Sequence, residues 1–233
     1  AGVRENAVRL AERRLASARV RDAVLKLVTD PEAGVRFQVA FTVGEIDDPR
    51  AVDAPAAIAM GDAGDPWIRT AVLSSVADNS HQLLARLLAE DKFIQSSNSS
   101  GLLHDLAQLV GVRGKAPEIQ RVLQSGHGNW DVVAGVGDGL KRSGQSLRQT
   151  EWEAPSTGSG QGETKEIIDR LLSQAARTAA DGQASVTARV AAIHLLQFDL
   201  FQRVNGVLAG LLESKQPQDV QHAAVIALGS FSE

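Results

Sequence analysis

Apolar residues recur at every fourth position in several stretches of the chain, with polar residues between them. Three apolar residues spaced i, i+4, i+8 lie on one face of an α-helix. We name such a row a ladder and its first residue the anchor. Seven ladders occur: Val3/Ala7/Ala11, Val35/Val39/Val43, Ile68/Val72/Val76, Leu102/Leu106/Val110, Val132/Val136/Leu140, Val186/Val190/His194 and Val220/Ala224/Leu228.

The spacing of the ladders indicates an internal repeat. Successive anchors are 32, 33, 34, 30, 54 and 34 residues apart. Each of the first six ladders is followed by a second apolar segment with a 3.6-residue period, so each of these units reads as helix, turn, helix. Such pairs bury their apolar faces by stacking, and units of about 30 to 47 residues are typical of HEAT and armadillo repeats. The sequence predicts an all-α fold, an α-solenoid of about six to seven HEAT-like helical hairpins. The second segments are 20–28, 51–60, 82–90, 117–124, 166–179 and 201–213.

The 54-residue interval predicts an insertion. Ser, Thr, Gly, Gln and Pro dominate the stretch 143–165, which shows no apolar period. We therefore divide the chain into HEAT-like repeats over 1–143, an inserted surface loop over 144–163, and repeats continued over 164–233 with a truncated last unit. Residues 150–163 are expected to be the most mobile and the first to be cut by proteases.

Four ladder residues are predicted to form the core, and the ends are predicted to be uncapped. Val39, Val72, Leu106 and Val136 should be almost fully buried. Solenoids require polar caps at both ends, and neither end of this chain has the composition of one. Since the sequence opens on Ala1 and closes on an unpartnered helix, we expect it to be a piece of a larger protein with flanking domains.

Composition narrows the range of functions. The net charge of −4 argues against a general nucleic-acid binder. The chain has no cysteine, which removes disulfides, thiolate metal sites and c-type haem attachment. No apolar run reaches the roughly 18 residues of a membrane helix, so we predict no membrane insertion.

The histidine and glycine patterns of the sequence do not form a recognisable metal-binding or phosphate-binding site. The five histidines never lie three to five residues apart, so no helix offers a two-histidine metal face. His194 stands at a ladder position and is predicted to be a partly buried, hydrogen-bonded imidazole. Gly135 and Gly139 are interpreted as close-packing residues, because no phosphate-loop spacing surrounds them. We predict no catalytic, cofactor-binding or metal-binding residues. The histidines are His81, His104, His127, His194 and His222.

Arginines and tryptophans leave a second possibility open. Residues 1–36 hold eight Lys or Arg against five acids, without an interleaved aromatic residue for base stacking. We expect a solvated helix face there.

Arg4, Arg36 and Arg69 each follow an anchor and are predicted to bond the acid or carbonyl of an adjacent unit. The alternative function is a HEAT-like alkylpurine DNA glycosylase, whose groove is cationic and has an aromatic-plus-Asp pocket. Its candidate aromatic residues are Trp67, Trp130 and Trp152.

Three segments carry a resemblance to a known family. "VRENAVRLAERRLA", "VRFQVAFTVGEIDDPRA" and "DPWIRTAVLSS" occur in that order. They resemble the HEAT-repeat region of large exported bacterial proteins described as membrane-bound dehydrogenases. That family places a β-propeller before the repeats and a c-type cytochrome module with a Cys-x-x-Cys-His motif after them. This chain has neither, so no catalytic residue carries over.

The sequence and the resemblance together predict a scaffold. We expect a non-catalytic segment without cofactors that mediates protein–protein or interdomain contacts, and no nucleic-acid partner. The resemblance implies a haem-containing redox parent protein and a periplasmic or cell-envelope location.

Overall fold

The computed structural model describes residues 2–46, 52–126, 128–148 and 160–231, with the backbone alone described at 160–163. Within these residues the chain forms α-helices, short 3-10 turns and loops, and no strand. The predicted all-α class is confirmed. The α-helices are α1 Gly2–Ala11, α2 Ala18–Leu25, α3 Ala33–Val43, α4 Asp53–Asp62, α5 Pro66–Ser75, α6 Ser80–Leu88, α7 Asp91–Ile94, α8 Ser99–Arg113, α9 Ala116–Ser125, α10 Trp130–Arg142, α11 Gly160–Ala180, α12 Val186–Leu196, α13 Phe201–Gly210 and α14 Gln218–Gly229.

The chain divides into two compact units, Ala1–Leu109 and Val110–Glu233, with the boundary inside α8. In the first unit the ladder helices stack in chain order, α1 on α3 and α3 on α5. The helices between them form a second layer, in which α4 packs on α3, α5 and α6. Each helix therefore packs on helices that are near it in sequence.

The second unit repeats this arrangement. The ladder helices α10, α12 and α14 stack in order, and α9, α11 and α13 form the second layer. In both units the packing is compatible with an α-solenoid of helical hairpins. The short helix α7 is an element that the periodicity did not predict.

The N-cap position precedes the anchor by the same distance in several ladder helices. Asp65 caps α5, and its Oδ1 accepts hydrogen bonds from the backbone N–H of Trp67 at 2.8 Å and of Ile68 at 3.2 Å. Asn129 caps α10 in the same way. In α5 and α10 the anchor is the third residue after the cap, and α3 and α14 follow the same rule. The cap and anchor pairs are Glu32/Val35, Asp65/Ile68, Asn129/Val132 and Pro217/Val220.

The predicted core is confirmed at the four test positions: Val39, Val72, Leu106 and Val136 are fully buried. The ladder of α1 departs from the prediction, because Val3 is 86% exposed and Ala7 is exposed. In α1 the buried residue is Val8, on the side that faces α3. The other buried ladder residues are Val35, Val43, Ile68, Val76, Leu102, Val110, Val132, Leu140, Val220 and Ala224.

The sixth ladder was predicted two residues out of register. Val186 is 37% exposed and His194 is also exposed, so they do not face the core. Ser185 caps α12 by accepting a hydrogen bond from the N–H of Ala188 at 3.2 Å, and this places the anchor at Ala188. The true ladder is Ala188, Ala192 and Leu196, and it lies 32 residues before the ladder of α14. Val186 and Val190 favoured the wrong register in the sequence prediction, because valine is more hydrophobic than alanine.

The residue after the anchor bridges successive hairpins. Arg36 donates from Nε to Asp62 Oδ2 at 2.6 Å, at the end of α4, and from Nη1 to the carbonyl of Asp30 at 2.6 Å. Arg4 makes the equivalent pair with Asp30, 26 residues ahead, at 2.7 Å. Arg69 differs, because its Nε lies 3.5 Å from Asp105 Oδ2 in the next ladder helix. The contacts that were predicted between these arginines and adjacent repeats are therefore present.

The corrected register extends this bridge to the second unit. Arg189 follows the anchor Ala188 and is buried. Its Nε donates to the carbonyl of Ala179 at 2.9 Å, at the end of α11, and its Nη2 donates to Gln216 Oε1 at 2.7 Å. Gln221 of α14 donates to the carbonyls of Glu213 and Gln216. We name Arg4, Arg36, Arg189 and Gln221 the bridging side chains.

The predicted loop over 144–163 is ordered at both ends. Leu147 is buried, and Arg148 bonds to Asp199 and Asp169. At the other end α11 begins at Gly160, four residues inside the predicted loop. The middle of the loop, with the mobility predicted for it, lies outside the described residues, as does Trp152.

Replacing Val72 with Ala is expected to lower the free energy of unfolding by about 1–3 kcal/mol, because burial is lost and a cavity remains. The matched control is Val186→Ala, which removes the same atoms from an exposed position and should change stability by less than about 0.5 kcal/mol. Urea denaturation followed by circular dichroism measures both. A cost at Val186 equal to that at Val72 would contradict the corrected register of α12.

Candidate interaction groove

An open apolar groove runs between the ladder helices α12 and α14 of the second unit. Its volume is about 390 Å³. Three alanines and two branched aliphatic residues form most of its wall, so its chemistry suits apolar side chains. The lining residues are Thr187, Val190, Ala191, His194, Gln197, Ala223, Ile226 and Ala227.

Small residues at outward positions of the repeat create this groove. In α3 the positions two and six residues after the anchor carry Phe37 and Phe41, whose rings pack edge to face with centroids 5.0 Å apart. In α12 the same positions carry Val190 and His194. The smaller valine, together with alanine on the facing side of α14, leaves the space between the helices open.

His194 lies at the edge of the groove. Its side chain is 43% exposed, and Nε2 lies 3.7 Å from Asp138 Oδ2 in α10. Its ring packs edge to face on Phe198, with centroids 5.8 Å apart. The prediction of a ladder imidazole is therefore corrected, because the cap of α12 rotates His194 away from the core. His194 supplies the groove with a polar group beside a carboxylate.

A smaller pocket in the first unit brings together an aromatic residue and an aspartate. Trp67 is 73% exposed and, with Asp65, Phe37 and Ile68, lines a pocket of about 250 Å³ between α3 and α5. Asp65 is already engaged as the cap of α5. No Lys or Arg belongs to the lining of this pocket, which also includes Ala33 and Gly34.

The predicted close-packing role of the glycines is confirmed at Gly139. A Cβ on Gly111 of α8 would lie 2.9 Å from the Cα of Gly139 in α10 and would also contact the carbonyl of Val136. Gly137 has the same role, since a Cβ there would lie 2.8 Å from the ring of Phe198. These glycines allow close helix contact.

A compact cluster of charges holds the start of the predicted loop against α11 and α13. Arg148 Nε donates to Asp199 Oδ1 at 3.0 Å, and Arg203 Nη1 donates to Asp169 Oδ1 at 3.2 Å. Arg148 also bonds to Asp169, and this hydrogen bond lowers the pKa of the Asp169 carboxyl below its usual value. The positive charges of two arginines balance the negative charges of two aspartates. The cluster therefore has a structural role. Sequence reasoning missed it because its members lie in three separate segments.

The other described histidines do not belong to the lining of the groove. His81 is on α6, His104 is half-buried on α8 with Nδ1 3.5 Å from Asp105 Oδ1, and His222 is exposed on α14. His127 lies outside the described residues. Within the described part of the chain, no group of three or more His, Cys, Asp or Glu residues could hold a metal ion.

Comparison of the chain with protein-family models, with curated proteins and with solved structures yields no significant match. Within the residues described, none of the helices combines the length and the hydrophobicity required to span a bilayer. The groove and the exposed faces of the ladder helices are the surfaces that this chain offers to a partner.

Asp169→Asn is expected to lower stability near neutral pH and to have less effect in acid. The folded-state pKa of Asp169 lies below the unfolded value of about 3.9, so its ionised form stabilises the fold above about pH 4. This contribution is lost as the pH falls through the folded-state pKa. Urea midpoints measured from pH 7 to pH 2.5 should converge for the wild type and the variant.

The control for this measurement is Asp91→Asn, which changes an exposed aspartate on α7. Its urea midpoint should follow the wild type across the whole pH range. A difference between wild type and Asp169→Asn that stays constant down to pH 2.5 would contradict the role assigned to the carboxylate.

Proposed function

We propose that this chain is a non-catalytic scaffold of HEAT-type helical hairpins, whose ladder-helix surface binds protein. The observation that carries the proposal is the open groove between α12 and α14, which is lined mainly by alanine and aliphatic side chains. An apolar groove between two rigid helices suits the insertion of aliphatic or aromatic side chains from a partner. The one ionisable group in its lining, His194, gives the groove a point of polar selectivity.

We base the proposed identity of the parent protein on the family that the first three ladder segments resemble. We propose that the chain is a segment of a larger exported bacterial protein related to membrane-bound dehydrogenases, with a haem module elsewhere in that protein. In this role the scaffold holds the flanking modules in a fixed relation, and it resides in the periplasm or cell envelope. The flanking modules are then the first candidates for occupants of the groove.

The glycosylase-type alternative has one observation in its favour, the meeting of Trp67 and Asp65 in a pocket. A flipped base could stack on the exposed indole. The absence of cationic residues from that pocket lining favours the scaffold, since nucleic-acid binding depends on phosphate contacts. Tryptophan fluorescence during titration with an abasic-site duplex separates the two. Saturable quenching that disappears in Trp67→Ala would support the alternative.

The substitution Ala223→Glu tests the scaffold proposal, because it places a charge in the groove. The open reading frame that encodes the chain is first read for flanking modules, which are expressed separately and titrated onto the chain by calorimetry. Binding should weaken at least tenfold in Ala223→Glu, since a carboxylate would be desolvated by an apolar partner.

Ala209→Glu is the matched control, because Ala209 is exposed on the neighbouring helix α13 and lies outside the groove. This variant should bind as the wild type does. Equal binding by both variants, or no binding of any flanking module to the wild type, would contradict the groove as the binding surface.

The purified chain is expected to contain no stoichiometric metal and to show no absorption band in the visible range. The reason is the absence of cysteine and of paired histidines in the sequence. Elemental analysis and an ultraviolet–visible spectrum make the measurement. A metal at one equivalent, or a visible band, would overturn the non-catalytic part of the proposal.

A further inference from the structure

The residue before the anchor opens a pocket between the ladder helices α3 and α5. This residue is Gly34 in α3 and Trp67 in α5. Among the described residues outside α3, a Cβ on Gly34 would meet one atom within 4 Å, Glu5 Oε2 at 3.4 Å, so the space above this glycine is open. Trp67 is 73% exposed and forms an aromatic wall of the pocket together with Phe37. The pocket, of about 250 Å³, therefore combines two aromatic rings with a carboxylate beside Gly34.

The pocket carries a net negative charge. Asp65 belongs to its lining, and the half-buried Glu5 of α1 lies beside Gly34. The N-termini of α3 and α5 oppose these two carboxylates with roughly half a positive charge each, so about one negative charge remains. The neighbouring arginines do not cancel this charge, because Arg4 and Arg36 each pair with an aspartate, at 2.7 Å and 2.6 Å.

The chain places a guanidinium above a glycine at the same position of another ladder helix. Gly101 precedes the anchor of α8, as Gly34 precedes the anchor of α3. A Cβ on Gly101 would lie 2.5 Å from Arg69 Nη1, so the guanidinium of Arg69 fills the space that a side chain would occupy there. Arg69 Nε also lies 3.5 Å from Asp105 Oδ2. The glycine before the anchor therefore accommodates a guanidinium that is paired with a carboxylate.

We propose that the pocket between α3 and α5 binds an arginine side chain of a partner protein. A guanidinium is planar, stacks on the faces of aromatic rings and donates hydrogen bonds to carboxylates in a fixed fork. Trp67 and Phe37 supply the rings, and Glu5 and Asp65 supply the carboxylates. Asp65 holds the N–H groups of α5 through Oδ1, so that Oδ2 can accept a hydrogen bond from the guanidinium.

The size and the charge of the pocket favour an arginine within a protein chain over free arginine. At about 250 Å³ the pocket is smaller than the roughly 300–1,000 Å³ typical of small-molecule sites, and it suits a single side chain. Free arginine would also bring its own carboxylate, which Glu5 and Asp65 would repel. An arginine whose carboxylate is bound in a peptide link avoids this repulsion.

The probe is the capped peptide acetyl-Gly-Gly-Arg-Gly-Gly-amide, titrated onto the full chain and followed by the indole N–H resonances of its three tryptophans. The variant Trp67→Phe identifies the resonance of Trp67. This resonance should shift saturably with the arginine peptide. The same peptide with citrulline, which keeps the shape and lacks the charge, should cause no shift. Free arginine and the corresponding lysine peptide should bind at least about threefold more weakly than the arginine peptide.

Two variants remove charge from the pocket and keep the shape of the side chain. Glu5→Gln and Asp65→Asn should each weaken binding of the arginine peptide at least about fivefold, because a charge-assisted hydrogen bond becomes a neutral one. Asparagine is also a good N-cap, so Asp65→Asn keeps the start of α5. The matched control is Glu45→Gln, which removes the same charge from an exposed residue at the opposite end of α3, roughly 16 Å away along the helix. This control should bind the peptide as the wild type does.

The pocket does not rest on the groove of the proposed function, so Ala223→Glu should leave the titration unchanged and either proposal can fail alone. The absence of a saturable shift, an equal shift with the citrulline peptide, or loss of binding in Ala223→Glu would overturn the pocket as the site. An equal effect of Glu45→Gln and Glu5→Gln would do the same. Tighter binding of the lysine peptide, or free arginine that binds as tightly as the arginine peptide, would overturn the assignment of a protein arginine.

Discussion

The contact between the residue after each anchor and the ends of the second-layer helices holds the hairpins in order. The last carbonyls of a helix have no partner within that helix. Arg36 reaches the carbonyl of Asp30 and the carboxylate of Asp62, and therefore joins the end of one hairpin to the end of the next. Arg189 makes the same double contact through Ala179 and Gln216. The planar guanidinium suits this task because its several donors point in fixed directions.

This bridge depends on the rotational phase of the helix, and three ladder helices carry a capping side chain that is consistent with that phase. A side chain one residue after the anchor can reach the next hairpin end only if the anchor faces the core. Ser185, Asp65 and Asn129 each stand three residues before the anchor and accept N–H groups of the first turn. The rotational phase of a ladder helix thus determines which side chains are buried, which bridge, and which remain on the surface to form the groove.

The repeat and the helix-pair architecture could be predicted from the sequence, because apolar periodicity reflects burial directly. The register of α12 could not be read from hydrophobicity alone, since Val186 and Val190 outweigh Ala188 and Ala192 in that measure. The signal that would have found it was present in Ser185 as a cap and in Arg189 as the residue after the anchor. The Arg148 cluster had no local signal, because Asp169 lies in α11 and Asp199 lies in the turn between α12 and α13.

Side-chain volume at a few repeated positions determines where the surface has a groove and where neighbouring helices pack closely. Phe37 and Phe41 occupy outward positions of α3, whereas Val190 and the alanines between α12 and α14 leave a groove. The same principle applies at the stacking face of α3, where Gly44 allows the backbone of Ser75 in α5 to approach closely. A repeat that conserves its phase can therefore vary its function by exchanging large for small residues at fixed positions, while the core row and the bridging side chains stay as they are.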